Sequence, residues 1–186
     1  MRNALRVVLF VAILGSAALV RGQEDTSKLD LYGGYDFVRY YTNPRINGLP
    51  PSESFNANGL GGQIAYNPTA WLGLVGEVSG YELARPGFVT THQVSFLFGP
   101  KVYLRQGKIR PYVQVFVGPV WAEAGITFGS VTAFGMTAGG GFDLRVARHI
   151  AIRPAQAEYF LTKFYDGNNN QQNNFRFSAG IVFRFG

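Results

Sequence analysis

The stretch from Phe175 to Gly186 reads FRFSAGIVFRFG and decides the fold. In an extended strand, alternate side chains point to opposite faces. One face of this stretch is wholly apolar and mostly aromatic: Phe175, Phe177, Ala179, Ile181, Phe183 and Phe185. The other face carries Arg176, Ser178 and Arg184. The sequence therefore predicts a strand whose apolar face needs an apolar partner, and lipid would satisfy that need.

The same alternation recurs along the chain, separated by turn residues, and predicts an all-β fold of eight strands. The seven earlier strands are expected at about Lys28–Tyr41, Gly59–Tyr66, Leu72–Ser79, Gln93–Leu104, Tyr112–Gly118, Phe134–Arg145 and Ile150–Glu158. The seventh breaks the pattern, because Arg153 and Gln156 cannot share a face in a regular strand. A bulge at Pro154 would restore the register.

Connection lengths form a second pattern. The connections after strands two, four and six are short, and the others are longer: Thr42 to Ala57, Glu82 to Thr90, Glu123 to Ser130 and Lys163 to Asn173. This strict alternation predicts an antiparallel meander with all short turns at one end, an arrangement that resembles an up-and-down outer-membrane barrel. In transmembrane barrels the short turns face the periplasm, so we expect the four longer loops to be exposed outside the cell.

Charged residues within the strands fall on the polar face. They are Glu77, Lys101, Asp143, Arg145, Arg176 and Arg184. A positive side chain at the lipid midplane costs about 2–4 kcal/mol, so these residues are predicted to face the lumen of a transmembrane barrel. The interior of an eight-stranded barrel is just wide enough for side chains to fill it. We therefore favour a paired internal network, with Glu77 bound to Arg145 or Arg176, over ion conduction.

The amino terminus has the pattern of a secretory signal peptide. Arg2 and Arg6 precede an apolar run that ends in small residues before Gln23. This predicts a signal peptide at residues 1–22 and an outer-membrane barrel domain at residues 23–186. The formal charge of +6 includes three arginines of the signal segment, so 14 basic against 11 acidic residues, or +3, would remain. The positive residues are dispersed, which argues against a nucleic-acid partner.

Four parts of the sequence carry a likeness to a known family: Leu31–Tyr35, Gly139–Arg145, Ile152-Arg153 together with Glu158-Tyr159, and the terminal strand. Together they resemble the small outer-membrane β-barrel family that includes the barrel domain of outer-membrane protein A and the Ail/Lom adhesion-type proteins. The resemblance implies a closed barrel with a role in envelope integrity or surface contact. It implies two partners, outer-membrane lipid and the barrel-insertion machinery. The lipid face and insertion signal would comprise Phe175, Phe177, Ile181, Phe183 and Phe185.

Catalytic and metal-binding patterns are weak in this sequence. There is no cysteine, and His92 and His149 do not have metal-ligand spacing. His92 and Ser95 have opposite parity in the fourth strand, which places them on opposite faces. The triple glycine at 139–141 lacks the spacing of a dinucleotide-binding motif. We therefore predict no catalytic residues, no bound metal and no cofactor.

Three functions remain open at this stage. The favoured one is a structural membrane barrel that contacts a surface ligand through its longer loops. A narrow pore for small solutes is the second, because several predicted lumen positions are small: Gly61, Gly73, Gly99, Gly118, Gly135, Gly139, Gly141 and Gly180. The third is a secreted, soluble barrel with an apolar ligand inside.

Tyrosine and tryptophan residues near the strand ends predict aromatic girdles at the membrane interfaces. They are Tyr40, Tyr41, Tyr66, Trp71, Tyr81, Tyr103, Tyr112, Trp121, Tyr159 and Tyr165.

Overall fold

Eight antiparallel strands form a closed barrel in the computed structural model, which describes residues 27–41, 54–83, 91–124, 130–163 and 172–186. The strands are β1 (Leu29–Tyr41), β2 (Ser54–Tyr66), β3 (Leu72–Leu83), β4 (Thr91–Tyr103), β5 (Ile109–Ala124), β6 (Ser130–Arg145), β7 (Ile150–Lys163) and β8 (Gln172–Phe185). Each strand pairs with its sequence neighbours. The predicted all-β, up-and-down transmembrane barrel architecture is therefore confirmed.

The terminal strand closes the barrel. It pairs with β1 in a continuous antiparallel register from Leu29 opposite Phe185 to Tyr41 opposite Asn173. All of the main-chain groups that an open sheet would expose at its edges are therefore paired between first and last strands. This closure is what allows a sheet to lie in lipid, where unpaired backbone groups are costly.

The predicted bulge in β7 is present. The ladder with β8 shifts register between Arg153 and Gln156, and these two side chains are both buried inside the barrel. Pro154 and Ala155, which lie between them, are both exposed. A proline is tolerated there because the bulge leaves backbone groups outside the regular ladder.

Short turns occupy one end of the barrel, at residues 67–71, 104–108 and 146–149. Gly107 has a φ of 144°, a backbone conformation that glycine adopts readily. The strands at the other end run further than the sequence indicates, since β2 begins at Ser54 rather than Gly59. The predicted loops are correspondingly shorter, and their remaining residues, 42–53, 84–90, 125–129 and 164–171, lie outside the described part of the chain.

The predicted signal peptide, residues 1–22, also lies outside the described residues and stays a prediction. Within the described ranges, no helix has the length and apolar character needed to cross a membrane.

Candidate functional site

The outer wall of the barrel is apolar. Large hydrophobic side chains are exposed on every strand, among them Leu60, Phe98, Val113 and Phe177. Toward the loop end, polar side chains such as Asn58, Glu82, His92 and Lys163 take over the outward positions. An apolar belt bounded by polar residues is what a lipid bilayer requires.

The terminal-strand residues lie on this wall. Phe175, Phe177, Ile181, Phe183 and Phe185 are each about half exposed, between 46% and 50%. Their intervening neighbours Arg176 and Arg184 are buried inside the barrel. The apolar side is thus the outside, the reverse of a soluble carrier that holds an apolar ligand within. The third function considered from the sequence is therefore wrong.

Charged side chains occupy the interior. The described residues include ten buried charged ones, five acidic and five basic: Asp30, Asp36, Glu77, Asp143, Glu158, Lys101, Arg110, Arg153, Arg176 and Arg184. Five of the six charged residues predicted to face the lumen are among them. Equal numbers of opposite charges make a neutral interior, which is the condition for burying them at tolerable cost.

Arg145 is the sixth, and its predicted role needs correction. It lies two positions after Asp143 and therefore on the same inward face of β6. It is located at the turn-end mouth of the barrel, however, and its side chain is partly exposed there. Glu77 pairs with Arg176 and not with Arg145. Among the described residues, no carboxylate lies within ion-pair distance of Arg145.

Arg176 in β8 is held between two glutamates from opposite sides of the lumen. Its Nη1 and Nη2 donate to Glu77 Oε1 and Oε2 at 2.6 and 3.0 Å, a bidentate arrangement. Its Nε donates to Glu158 Oε2 at 2.6 Å, and Nη1 also donates to the hydroxyl of Tyr81 at 3.0 Å. Strands β3, β7 and β8 are thus linked through a single guanidinium.

Arg153 in β7 forms the second centre of the network. Its Nε and Nη2 donate to the carboxylate of Asp143 at 2.8 and 3.4 Å. Its Nη1 donates to the side-chain oxygens of Gln63 and Gln156 at 2.9 and 3.0 Å. Lys101 Nζ donates to the same oxygen of Gln63 at 2.9 Å. Gln63 therefore accepts from two cations at once.

The two centres are joined by glutamine side chains. Gln63 Nε2 donates to Glu77 Oε2 at 2.7 Å, and Gln156 Nε2 donates to Glu158 Oε2 at 2.9 Å. Each glutamine accepts from Arg153 on one side and donates to a glutamate bound by Arg176 on the other. A continuous chain of hydrogen bonds therefore crosses the lumen, and such networks are strengthened by the low local dielectric.

An apolar layer fills the lumen on the loop side of this network. Val38, Val120, Phe116 and Phe160 have no solvent exposure, and Leu97 has 2%. They belong to one cluster with Tyr40, Ala57 and Tyr81, which continues toward the turn end through Ala65 and Val75. The barrel interior is thus occupied in two ways along its axis, by ion pairs and by hydrophobic packing.

The inward glycines do not keep the lumen open, contrary to the argument for a pore. A Cβ added at Gly61 would lie 2.5 Å from a carboxylate oxygen of Asp36, and one at Gly139 would lie 2.8 Å from Cγ of Glu158. A Cβ added at Gly73 would lie 2.6 Å from the side-chain amide oxygen of Asn67. The space that these glycines vacate is filled by larger side chains.

The aromatic residues divide between the two faces. Tyr66, Trp71 and Trp121 are exposed on the outer wall, as girdle residues would be, and Tyr159 is partly exposed. The structure corrects the prediction for four tyrosines, which are buried inside the barrel: Tyr40, Tyr81, Tyr103 and Tyr112. The side chain of Tyr41 and all of Tyr165 lie outside the described set.

The structure does not bring together a catalytic pair. His92 is exposed on the outer wall, whereas Ser95 is fully buried in the interior. His149 lies in the turn before β7, with Nδ1 3.1 Å from the main-chain oxygen of Arg184. In the described part of the chain, no group of histidine and acidic residues has an arrangement that would hold a metal ion.

Sequence reasoning omitted five buried charges from the predicted network: Asp30, Asp36, Arg110, Arg153 and Glu158. Asp30 and Asp36 lie on the predicted polar face of the first strand, so parity was sufficient to include them. Arg110 lies on the same face of β5 as Tyr112 and Gln114. It was omitted because it precedes the predicted start of that strand, Tyr112, by two residues. Arg153 and Glu158 needed the β7 bulge to be taken into account.

The solved structures to which this chain is similar include several outer-membrane barrels. Neisserial surface protein A matches with a TM-score of 0.64 and 14% identity over 83% of this chain and 97% of that one. The attachment invasion locus protein Ail of Yersinia pestis matches at 0.52 and 15% over 84% and 99%. The outer membrane protein OprG of Pseudomonas aeruginosa matches at 0.55 and 12% over 86% and 96%. This chain has the fold of the small outer-membrane barrels.

No protein-family profile and no curated protein sequence matches the chain. The small outer-membrane barrel fold accounts for the apolar wall, the polar interior and the closure of β8 on β1. At such low identities it does not by itself assign a role.

Proposed function

We propose that this protein is a non-enzymatic outer-membrane barrel that serves envelope integrity as a closed wall and presents its four longer loops to the cell surroundings. One observation carries the proposal: the lumen is filled by five acidic and five basic buried side chains and by an apolar layer. A permanent solute pathway would need a continuous water-filled lumen. A narrow open pore is therefore disfavoured as the main function.

The proposed location rests on the apolar wall. Phe177, Ile181 and Val113 are exposed where a soluble protein would place polar side chains. After removal of the proposed signal peptide at residues 1–22, the terminal strand with Phe183 and Phe185 would be the segment that the barrel-insertion machinery recognises. Outer-membrane lipid would then surround the wall.

Surface contact is the finer part of the proposal. One solved relative of similar fold, Ail of Yersinia pestis, is known in complex with the heparin analogue sucrose octasulfate. By analogy of fold, the residues that connect the strands at the loop end would provide a contact surface in this protein. The ligand would be bound outside the barrel, independently of the lumen.

Planar-bilayer recording of the purified protein tests the closed lumen. We expect no resolved single-channel steps, because buried ion pairs and the apolar layer fill the lumen in the described part of the chain. Phe116 and Phe160 are fully buried in the apolar layer. The double variant Phe116→Gly/Phe160→Gly serves as the control for the loop-side half of the lumen. Steady solute-sized conductance of the unmodified protein would contradict the proposal.

Complementation of a deletion strain tests the cellular role. Sensitivity to detergent and bulky antibiotics should return to the parental level when the strain expresses the full chain. A variant whose segments 42–53 and 164–171 are replaced by short glycine–serine turns should restore envelope integrity but lose surface binding. If the loop-shortened variant retains all binding of intact cells, the surface role is wrong. If neither form restores resistance, the structural role is wrong.

A further inference from the structure

We propose that the turn end of the barrel interior contains an oxyanion-binding site built on Arg110, with Arg145 and Arg184 as further cationic groups. The ligand class is a phosphate group, supplied either as free phosphate or as the head group of a lipid. This site goes beyond the proposed structural function and does not depend on it. It lies at the opposite end of the lumen from the proposed surface-binding loops.

Arg110 is fixed in place but only partly satisfied. Its guanidinium stacks on the ring of Tyr103, with Cζ 3.9 Å from the ring centroid, and its Nη1 lies 3.5 Å from Asp30 Oδ2. Its Nε and Nη2 are buried and have no hydrogen-bond partner, although the residue as a whole is 2% exposed. These two nitrogens form the edge of the guanidinium that binds carboxylate or phosphate in a bidentate manner.

The two arginines of the network show what full satisfaction looks like in this lumen. All three guanidinium nitrogens of Arg153 donate to protein oxygens, and so do all three of Arg176. Leaving a buried charged donor unpaired costs more than leaving a neutral one unpaired. Arg110 thus presents a donor edge that the described protein groups leave open for a ligand.

Local charge favours an anion there. Arg184 lies opposite Asp30 in the β1–β8 register, and its Nε is 3.8 Å from Asp30 Oδ1. Arg110 lies directly opposite Asp143 of β6. Arg145 follows Asp143 by two positions on the same face and is therefore the diagonal neighbour of Arg110. The charge of Arg145 also acts on Arg184. The three arginines carry three positive charges and the described carboxylates beside them, Asp30 and Asp143, carry two negative ones, which gives 3 − 2 = +1.

Access follows from the position of Arg145. Its side chain is partly exposed at the turn-end mouth, whereas Arg110 lies behind it in the interior. An anion entering from the turn side would meet Arg145 first and the open edge of Arg110 next. If the short turns face the periplasm, the site is open to periplasmic phosphate and to the inner-leaflet head groups.

Equilibrium dialysis with radiolabelled inorganic phosphate tests the site on the full chain in maltoside micelles, which contain no phosphate. We expect saturable binding of one phosphate per chain at low ionic strength. Arg110→Lys keeps the charge but loses the bidentate edge, and should weaken binding about tenfold or more, as expected for one lost charge-assisted hydrogen bond. The matched control, Arg105→Lys, changes an exposed arginine in the turn at the same end and should leave binding unchanged.

A second arm uses a water-soluble short-chain phosphatidic acid as the probe. Binding of inorganic phosphate indicates a free oxyanion as the ligand, and binding of the phosphatidic acid alone indicates a lipid head group; both support the site. Failure of both probes to bind, or equal binding by Arg110→Lys, would overturn it. Heat-dependent gel mobility must show that each variant is folded.

Discussion

Arg176 compensates two buried carboxylates at once, so its removal should be among the most damaging single changes in the lumen. Arg176→Met would leave Glu77 and Glu158 buried without their cation. We expect a loss of about 3–5 kcal/mol in the free energy of unfolding, the usual cost of breaking a buried ion pair. Urea unfolding in lipid vesicles, followed by gel mobility, measures this loss.

Removing the carboxylates together with the cation separates charge from packing. The triple variant Arg176→Met/Glu77→Gln/Glu158→Gln should recover most of the lost stability, because no uncompensated charge remains. Arg105→Met, at an exposed position, should change stability by no more than about 0.5 kcal/mol. A triple variant as unstable as Arg176→Met would show that the ion pairs are not the cause.

Two glycines on opposite faces provide a test of packing inside the barrel. At Gly139 an added Cβ would lie 2.6 Å from the Cα of Glu158, whereas at Gly76 nothing lies within 4 Å. Gly139→Ala should therefore destabilise the barrel by about 1–3 kcal/mol through overpacking. Gly76→Ala should be close to neutral. Equal unfolding midpoints for the two variants would refute the close approach of the β7 main chain to Gly139.

At the scale of the element, the β7 bulge determines which side chains reach the lumen. Deleting Ala155 would remove the extra residue, so that Arg153, Pro154 and Gln156 alternate as in a regular strand and Gln156 still faces the lumen. We expect this variant to give the compact, heat-modifiable form on gels. Deleting Ala157, which lies in the regular ladder opposite Phe177, would turn Glu158 toward lipid, because a one-residue slip exchanges the faces of a strand, and this variant should not fold. Equal behaviour of the two deletion variants would mean that the bulge does not set the register.

At the scale of the whole molecule, the barrel is a cylinder with an apolar exterior, and the cost of an outward charge should depend on depth. Ile181 lies in the middle of the apolar face of β8, and Phe185 lies at its turn end. Ile181→Arg should cost about 2–4 kcal/mol and Phe185→Arg about 0–1 kcal/mol. Unfolding measurements in vesicles compare the two. Equal small costs would indicate that the wall faces water.

Much of this fold could be predicted because a barrel strand has a period of two. The faces of Leu31, Glu77 and Phe98, for example, follow from parity alone, as does the polar face that carries Arg176. Strand ends were less predictable, since β2 begins at Ser54, where the sequence shows no clear alternation. The four interior tyrosines were wrongly predicted to lie at the membrane interfaces, because an aromatic residue near a strand end suits either a membrane interface or a narrow lumen.

The sequence by itself determined the strand count, the antiparallel order and the face of most strand residues, because these depend on local alternation and connection length. Only the tertiary structure decided which charges meet. Glu77 and Arg176 are 99 positions apart in sequence, and their pairing depends on how strands β3 and β8 are staggered around the barrel. The open donor edge of Arg110 is likewise a property of that stagger, because it depends on which side chains from other strands reach the same depth in the lumen.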